Sequence, residues 1–205
     1  MLPILLSSSV SYAPQLVVGL VICGIAALTI SNLPLATTAF LVQRLMVITL
    51  LWPSLKTPLR TINLITLGAI AAIYYITEWH RRSDRSRSSF PNPLFKALTA
   101  ALGLLLARGL VQTWLTPSLP MVAFTVSWLI IAGLLIILLT DGALRTGLGI
   151  LTFADGCRVL YALWEPSPLV WALWSIGDVL VALAASHLCD TKAAIGKSQT
   201  DGGGK

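Results

Sequence analysis

Repeated apolar runs of about 20 residues, separated by short breaks, dominate this chain of 205 residues. A helix of about that length crosses the hydrocarbon core of a bilayer, which is about 30 Å thick. Hydrophobic residues make up 56% of the chain and charged residues only 11%, whereas a soluble globular chain has about 25% charged residues. Because so few polar side chains could cover a water-facing surface, we expect an all-α, polytopic membrane protein with about seven transmembrane helices.

The apolar runs predict seven spans, and Pro, Gly, Asn and Asp mark the breaks between them. The spans lie near residues 14–30, 34–52, 61–78, 97–115, 121–140, 147–163 and 169–188. We divide the chain into N-terminal helices over 1–120 with about four spans, a three-helix part over 121–189 and a tail over 190–205. The tail is polar and rich in Gly at its end, so it is expected to be disordered and cytoplasmic.

Basic residues predict the orientation. The densest group of arginines lies in the short segment 81–87 between two apolar runs. Cytoplasmic loops of membrane proteins are enriched in Lys and Arg, so this segment is predicted to be cytoplasmic. Alternation then places the N-terminus outside and Arg145 and the C-terminus inside, in a membrane that we expect to be a prokaryotic inner membrane. Lys56 and Arg60 fall on the outer side against the rule. The orientation rule accounts for the basic residues behind the net charge of +6, so nucleic acid is not an expected partner.

Five ionisable side chains inside the predicted spans carry most of the functional information. They are Asp155, Asp178, Arg44, Arg108 and Arg158. The two carboxylates lie about eight and nine residues into their spans, roughly 12 and 14 Å deep and therefore near the midplane. A charged group at a helix centre costs about 2.5–3.5 kcal/mol. All five are therefore expected to face protein or a hydrated cavity and to be paired.

The spacing of these residues leaves two interpretations open. Asp155 and Arg158 share a helix face at i, i+3 and could pair locally. Asp178 has no such neighbour, so its partner is expected to be Arg44, Arg108 or a group of another chain. A midplane carboxylate is typical of a proton relay, which makes Asp178, and after it Asp155, the relay candidates, with the three arginines as pairing or tuning groups. The same side chains could instead form ion pairs that only fix helix packing.

The sequence contains no catalytic constellation, phosphate-binding loop, dinucleotide fingerprint or metal motif. Its three cysteines are far apart, and its two histidines are not clustered with other ligands. We therefore expect no catalytic site, metal or cofactor in this chain. Whatever it does is expected to happen in the membrane or through partner subunits.

The last three spans resemble a known family. The segment from Asp141 to Leu163, which carries Asp155 after a turn with Arg145, is similar to the second helix of the three-helix K subunit of respiratory complex I. It looks closer still to the matching helix of the membrane-embedded E subunit of hydrogenase-4-type complexes. The segment Trp174-Ser-Ile-Gly-Asp178-Val-Leu-Val-Ala-Leu resembles the following helix, which holds a second carboxylate. An early segment, Ala39-Phe-Leu-Val-Gln-Arg-Leu-Met-Val-Ile48, is similar to a helix of the E subunit that carries Gln.

The resemblance implies a non-redox membrane-arm subunit of a complex I-like or hydrogenase-4-like assembly. Its carboxylates would contribute to proton or cation translocation beside antiporter-like membrane subunits, while other chains carry the electrons. Two alternatives stay open: a structural scaffold subunit without transport activity of its own, and a stand-alone small-solute carrier. A carrier should show discontinuous helices in repeated halves.

Overall fold

The computed structural model describes residues 13–30, 32–52, 55, 57–81, 93–114, 120–162 and 167–201. Within them the chain forms seven α-helices and no strand. The helices are α1 Ala13–Thr29, α2 Leu33–Leu51, α3 Thr57–Arg81, α4 Pro93–Trp114, α5 Pro120–Leu139, α6 Ala143–Ala162 and α7 Pro168–Asp201. Each predicted span falls on one of these helices, so the prediction of an all-α, polytopic membrane protein is confirmed.

Five helices are long and apolar enough to cross a bilayer: α2, α3, α4, α5 and the part of α7 from Pro168 to Cys189. Helix α1 is apolar but shorter. Helix α6 has 20 residues, or about 30 Å, but it carries Arg145, Asp155 and Arg158. Its charges, not its length, set it apart from the other spans.

Helix α7 is longer than its predicted span. It continues as far as Asp201, so the backbone of residues 190–201 is helical where the composition predicts a disordered tail. Residues 202–205, and the arginines at 82, 85 and 87 that set the predicted orientation, lie outside the described residues.

Helices α5 and α6 form an antiparallel hairpin with the most extensive helix–helix interface among the described residues. The chain reverses at Gly142, whose φ of 116° favours glycine. Glycines also let the two backbones approach closely. A Cβ on Gly133 would lie 2.5 Å from the backbone nitrogen of Phe153, and one on Gly149 would lie 2.9 Å from the carbonyl oxygen of Gly133. Side chains larger than hydrogen at these two positions would therefore force the helices apart.

Contacts near the helix ends agree with the predicted alternation of the spans. Arg145, at the start of α6, donates to the carbonyl oxygen of Ile30 at 3.1 Å, just after α1 ends. Arg145 also lies near enough to the buried Lys96, close to the start of α4, for the two positive charges to repel each other. The Tyr74 hydroxyl of α3 donates to the carbonyl oxygen of Leu144 at 3.3 Å. These ends lie together on one side of the bundle, and which side of the membrane they face stays a prediction.

Arg60, which the positive-inside rule places on the wrong side, is held against the turn between α2 and α3. Its Nε donates to the carbonyl oxygen of Leu55 at 2.9 Å, and its guanidinium carbon lies 4.8 Å from the ring centroid of Trp52. These local contacts stabilise the charge at the end of the helix, and they do not depend on the orientation of the protein in the membrane.

Two apolar clusters fill the two ends of the bundle. The first apolar cluster lies where α2 and α6 end and α3 and α7 begin, and it includes Val47, Leu51, Leu59, Val159 and Trp171. The second apolar cluster lies toward the other ends of the same helices, and it includes Phe40, Tyr74, Leu148, Leu151 and Ala182. Four charged residues of the spans lie between these two clusters: Arg44, Asp155, Arg158 and Asp178.

Candidate functional site: a buried charge network

Four charged side chains from three helices meet between the two apolar clusters. They are Arg44 of α2, Asp155 and Arg158 of α6, and Asp178 of α7, hereafter the charge network. None is more than 3% exposed. The expectation that these four groups face the protein interior and are paired is met, because each is enclosed by the chain itself.

Each aspartate of the charge network contacts both arginines. Nη1 of Arg158 donates to Oδ1 of Asp155 at 3.1 Å, and Nη1 of Arg44 lies 3.6 Å from the same oxygen. Oδ2 of Asp178 accepts hydrogen bonds from Nη2 of Arg44 and from Nη2 of Arg158. Two positive and two negative groups cancel in formal charge. Charge-assisted hydrogen bonds of this kind are roughly twice as strong as neutral ones.

The position of the charge network along the helix axes follows from helix geometry. Arg44 lies seven residues before Leu51, about 10 Å from the end of α2. Asp178 lies ten residues after Pro168, about 15 Å from the start of α7. In α6 the acidic residue follows Leu151 of the second apolar cluster by one turn, and Val159 of the first cluster comes after Arg158. The network therefore lies near the middle of the bundle with apolar layers on both sides.

The observed partners of the two carboxylates agree in part with those predicted from the sequence. The i, i+3 pair of Asp155 and Arg158 is observed, and Arg44 is a partner of Asp178, as one of the alternatives predicted. The additional bond from Arg158 to Asp178 depends on how α6 packs on α7, and helix spacing alone does not predict it.

Arg108, which was expected to face protein or a hydrated cavity and to be paired, is not part of the charge network. Its side chain is exposed, whereas the preceding residue, Ala107, is fully buried. One residue turns about 100° around a helix, so the buried face of α4 points Arg108 away from the core. Helix α4 packs mainly on α5 and α1, at the periphery of the described helices and away from Asp178.

Two tryptophans of α7 cover Arg158. Its guanidinium carbon lies 5.6 Å from the ring centroid of Trp171 and 5.9 Å from that of Trp174. Cation–π contacts contribute about 0.5–1 kcal/mol when exposed and about 2 kcal/mol when desolvated. Sequence reasoning missed these residues, although they precede Asp178 by seven and four positions. That spacing places them on its helix face.

Several buried polar atoms at the charge network have no hydrogen-bond partner among the described residues. They are Nε and Nη1 of Arg44, Nε of Arg158, Nε1 of Trp171 and Oγ of Ser175. Gln43 is 1% exposed, and neither of its amide atoms has such a partner. A buried polar atom left unsatisfied costs about 1–3 kcal/mol, so these groups call for a physical explanation.

A second polar group lies beyond the second apolar cluster. The Thr37 hydroxyl donates to Oε1 of Glu78 at 2.8 Å, and the hydroxyl oxygens of Thr77 and Ser186 lie 2.9 Å apart. The sequence shows Glu78 only as the last residue of a predicted span and does not predict its contact with Thr37. In the structure the side chains of Phe40 and its apolar neighbours separate these contacts from the charge network.

Gly177 lies beside Asp178 but is not a point of close helix approach. A Cβ on this residue would meet no atom within 4 Å, so no described helix approaches there. Close approaches occur elsewhere, for example at Gly133, Gly149 and Gly156 in the α5–α6 hairpin and at Gly147 against Tyr74 and Ala185.

Comparison with known proteins identifies no relative. No protein-family model matches the chain, and neither a curated protein nor a solved structure matches it. The resemblance to the E subunit of hydrogenase-4-type complexes and to the K subunit of complex I therefore stays a prediction based on the residues quoted for it.

Proposed function

We propose that this chain is a non-redox membrane subunit of a complex I-like or hydrogenase-4-like assembly, and that its charge network contributes to proton or cation translocation. The observation that carries the proposal is the burial of four ionisable groups near the middle of α2, α6 and α7, of which α2 and α7 are long and apolar enough to span a bilayer. Such groups are costly in a membrane, and they mark ion and proton pathways. The proposed partners are antiporter-like membrane subunits in a prokaryotic inner membrane, with the N-terminus outside and the C-terminus in the cytoplasm.

The charge balance constrains how a proton moves through the charge network. A proton on Asp178 leaves a net charge of +1 in a low-dielectric interior, which is unfavourable unless an arginine moves with it. Arg44 suits this role because it comes from α2, which contributes no other charge to the network, and because its Nε and Nη1 have no hydrogen-bond partner among the described residues. In this mechanism Asp178 releases Arg44 when it is protonated and binds it again when the proton leaves.

A structural scaffold is the second candidate function, and the double pairing of each aspartate supports it. Every charge in the network is balanced, and the contacts join α2, α6 and α7. Buried ion pairs of this kind can set helix register without carrying a proton. The third alternative, a stand-alone carrier, has no comparable support, because each of the seven described helices is continuous.

The substitution Asp178→Asn separates the two candidates when translocation and assembly are measured together. We expect the variant to assemble and to lose proton or cation uptake in inverted membrane vesicles, with uptake followed by an ion-sensitive dye and assembly by native electrophoresis. If the chain is only a scaffold, we expect the same variant to lose assembly instead.

The matched control is Asp141→Asn, which removes an exposed carboxylate at the turn between α5 and α6. It should leave both measurements unchanged. Intact assembly with unchanged uptake in Asp178→Asn would overturn the translocation role. Purification of the chain in mild detergent without any other protein would overturn the proposed membership of a larger complex.

A further inference from the structure

One side of the charge network is rich in hydrogen-bond donors that no described protein atom satisfies. Trp171 and Ser175 lie four residues apart on α7, so they share a face, and Ser175 lies three residues before Asp178. The Trp171 ring faces the guanidinium of Arg158. The Trp171 indole nitrogen, the Ser175 hydroxyl oxygen and the Arg158 Nε are all buried and without a described partner.

Two independent observations place the three groups near one another in the fold. The helix repeat places Ser175 beside Trp171, and the 5.6 Å distance between the Arg158 guanidinium carbon and the Trp171 ring centroid brings α6 to the same spot. Asp178 completes the group, since Arg158 donates to it directly. A ligand bound here would be within reach of an indole, a hydroxyl and a charged pair.

We propose that this cluster, formed by Arg158, Trp171 and Ser175, is a binding site for internal water molecules. Buried waters typically make about three hydrogen bonds to polar groups that the protein does not satisfy, and this cluster offers that number. A water oxygen accepts from the indole and from Arg158, while its hydrogens can reach the Ser175 hydroxyl or a carboxylate of the charge network.

Water fits the site better than an ion does. The formal charges of the network already cancel, so an anion would leave a net charge of −1 between two apolar clusters. A cation would face two nitrogen donors that carry hydrogens, with the Ser175 hydroxyl oxygen as the one lone-pair donor of the cluster. A neutral molecule that donates and accepts satisfies the buried groups at no charge cost.

This inference does not rest on the proposed function, because the buried donors need partners whether or not the protein moves protons. If translocation also holds, water at this site solvates Arg158 while Asp178 changes protonation. Failure of the Asp178→Asn translocation test would leave the water site intact, and a dry site would leave the result of that test unchanged.

Water-edited solid-state NMR on the full chain in lipid bilayers tests the proposal, with the tryptophan indoles labelled with ¹⁵N. We expect magnetisation from water to reach the Trp171 indole N–H several-fold faster than that of Trp128, with both signals assigned from Trp→Phe variants. Trp128 is a matched control because it is also fully buried, belongs to the same apolar cluster and has an indole nitrogen without a described partner. It packs on Gly24, not on a charge. Equal transfer rates at the two indoles would overturn the proposal.

Two further measurements identify what is bound. Ser175→Ala should slow the transfer of magnetisation from water to Trp171, whereas Ser127→Ala, at a serine that is also 6% exposed, should not. Equal effects of the two variants would contradict a role of Ser175 in holding water. Replacing chloride with sulfate should leave the Trp171 indole signal in place, and a shift on that exchange would overturn water in favour of a bound anion.

Discussion

Two arginines in apolar helices have opposite surroundings in this protein. Arg158 of α6 is 3% exposed, donates to two carboxylates and lies against two tryptophan rings. Arg108 of α4 is exposed, on a peripheral helix that packs mainly on α5 and α1. In sequence each is a single arginine within a predicted span, although Arg158 has Asp155 three residues before it. The difference shows that the position of a helix in the bundle and the face that a residue occupies decide whether an intramembrane charge belongs to a site.

The comparison also explains how α6 can carry Asp155 and Arg158. Its charges are tolerated because α2, α5 and α7 enclose them and supply partners. Helix α5, its closest neighbour, carries no charged residue and lets α6 approach through Gly133. One member of this hairpin provides the packing surface, and the other provides the charges.

The largest expected effect is that of breaking the charge network at Arg158. Replacing it with Leu leaves two carboxylates facing one arginine in the interior, and removing one partner of a buried pair costs about 3–5 kcal/mol. We expect a loss of that size in the free energy of unfolding, measured by SDS titration of the chain in bicelles with circular dichroism.

A double substitution sharpens this prediction. Arg158→Leu together with Asp155→Leu removes one charge of each sign, so Arg44 and Asp178 remain as a neutral pair. Interaction energies within such networks are about 0.5–3 kcal/mol, and we expect the double variant to be more stable than Arg158→Leu alone by an amount in that range. A double variant that is less stable than the single one would contradict the view that charge balance holds the network together.

A smaller effect is expected from closing the gap between α5 and α6. Gly133→Ala places a methyl group 2.5 Å from the Phe153 backbone nitrogen and 2.8 Å from the Gly149 carbonyl oxygen, so the backbones must separate. Overpacking costs about 1–3 kcal/mol, and the same unfolding titration measures it. Gly68→Ala on α3 is the control, because a Cβ there meets no atom within 4 Å. Equal stability of the two variants would mean that the hairpin adapts without strain.

The sequence predicted the helices better than it predicted the contacts between them. Seven apolar runs were enough to locate seven helices, because the bilayer constrains both the length and the composition of a span. The pair of Asp155 and Arg158 was predictable because it lies within one helix. The bond from Arg158 to Asp178, the covering of Arg158 by Trp171 and the outward direction of Arg108 were not predicted. Each depends on helix rotation, and a helix that is apolar on all sides gives little indication of which face is buried.

The smallest effect is expected at Arg108, and it completes the comparison of the two arginines. Arg108 lies six residues before Trp114, about 9 Å from the end of α4, so its long side chain can reach toward the polar headgroups. For the isolated chain in bicelles we expect Arg108→Leu to change the free energy of unfolding by less than about 0.5 kcal/mol, as surface substitutions usually do. A loss as large as that of Arg158→Leu would show that Arg108 has a buried role and would remove the contrast. A variant that is stable alone but no longer co-purifies with its partner subunits would instead show that this face of α4 contacts another chain.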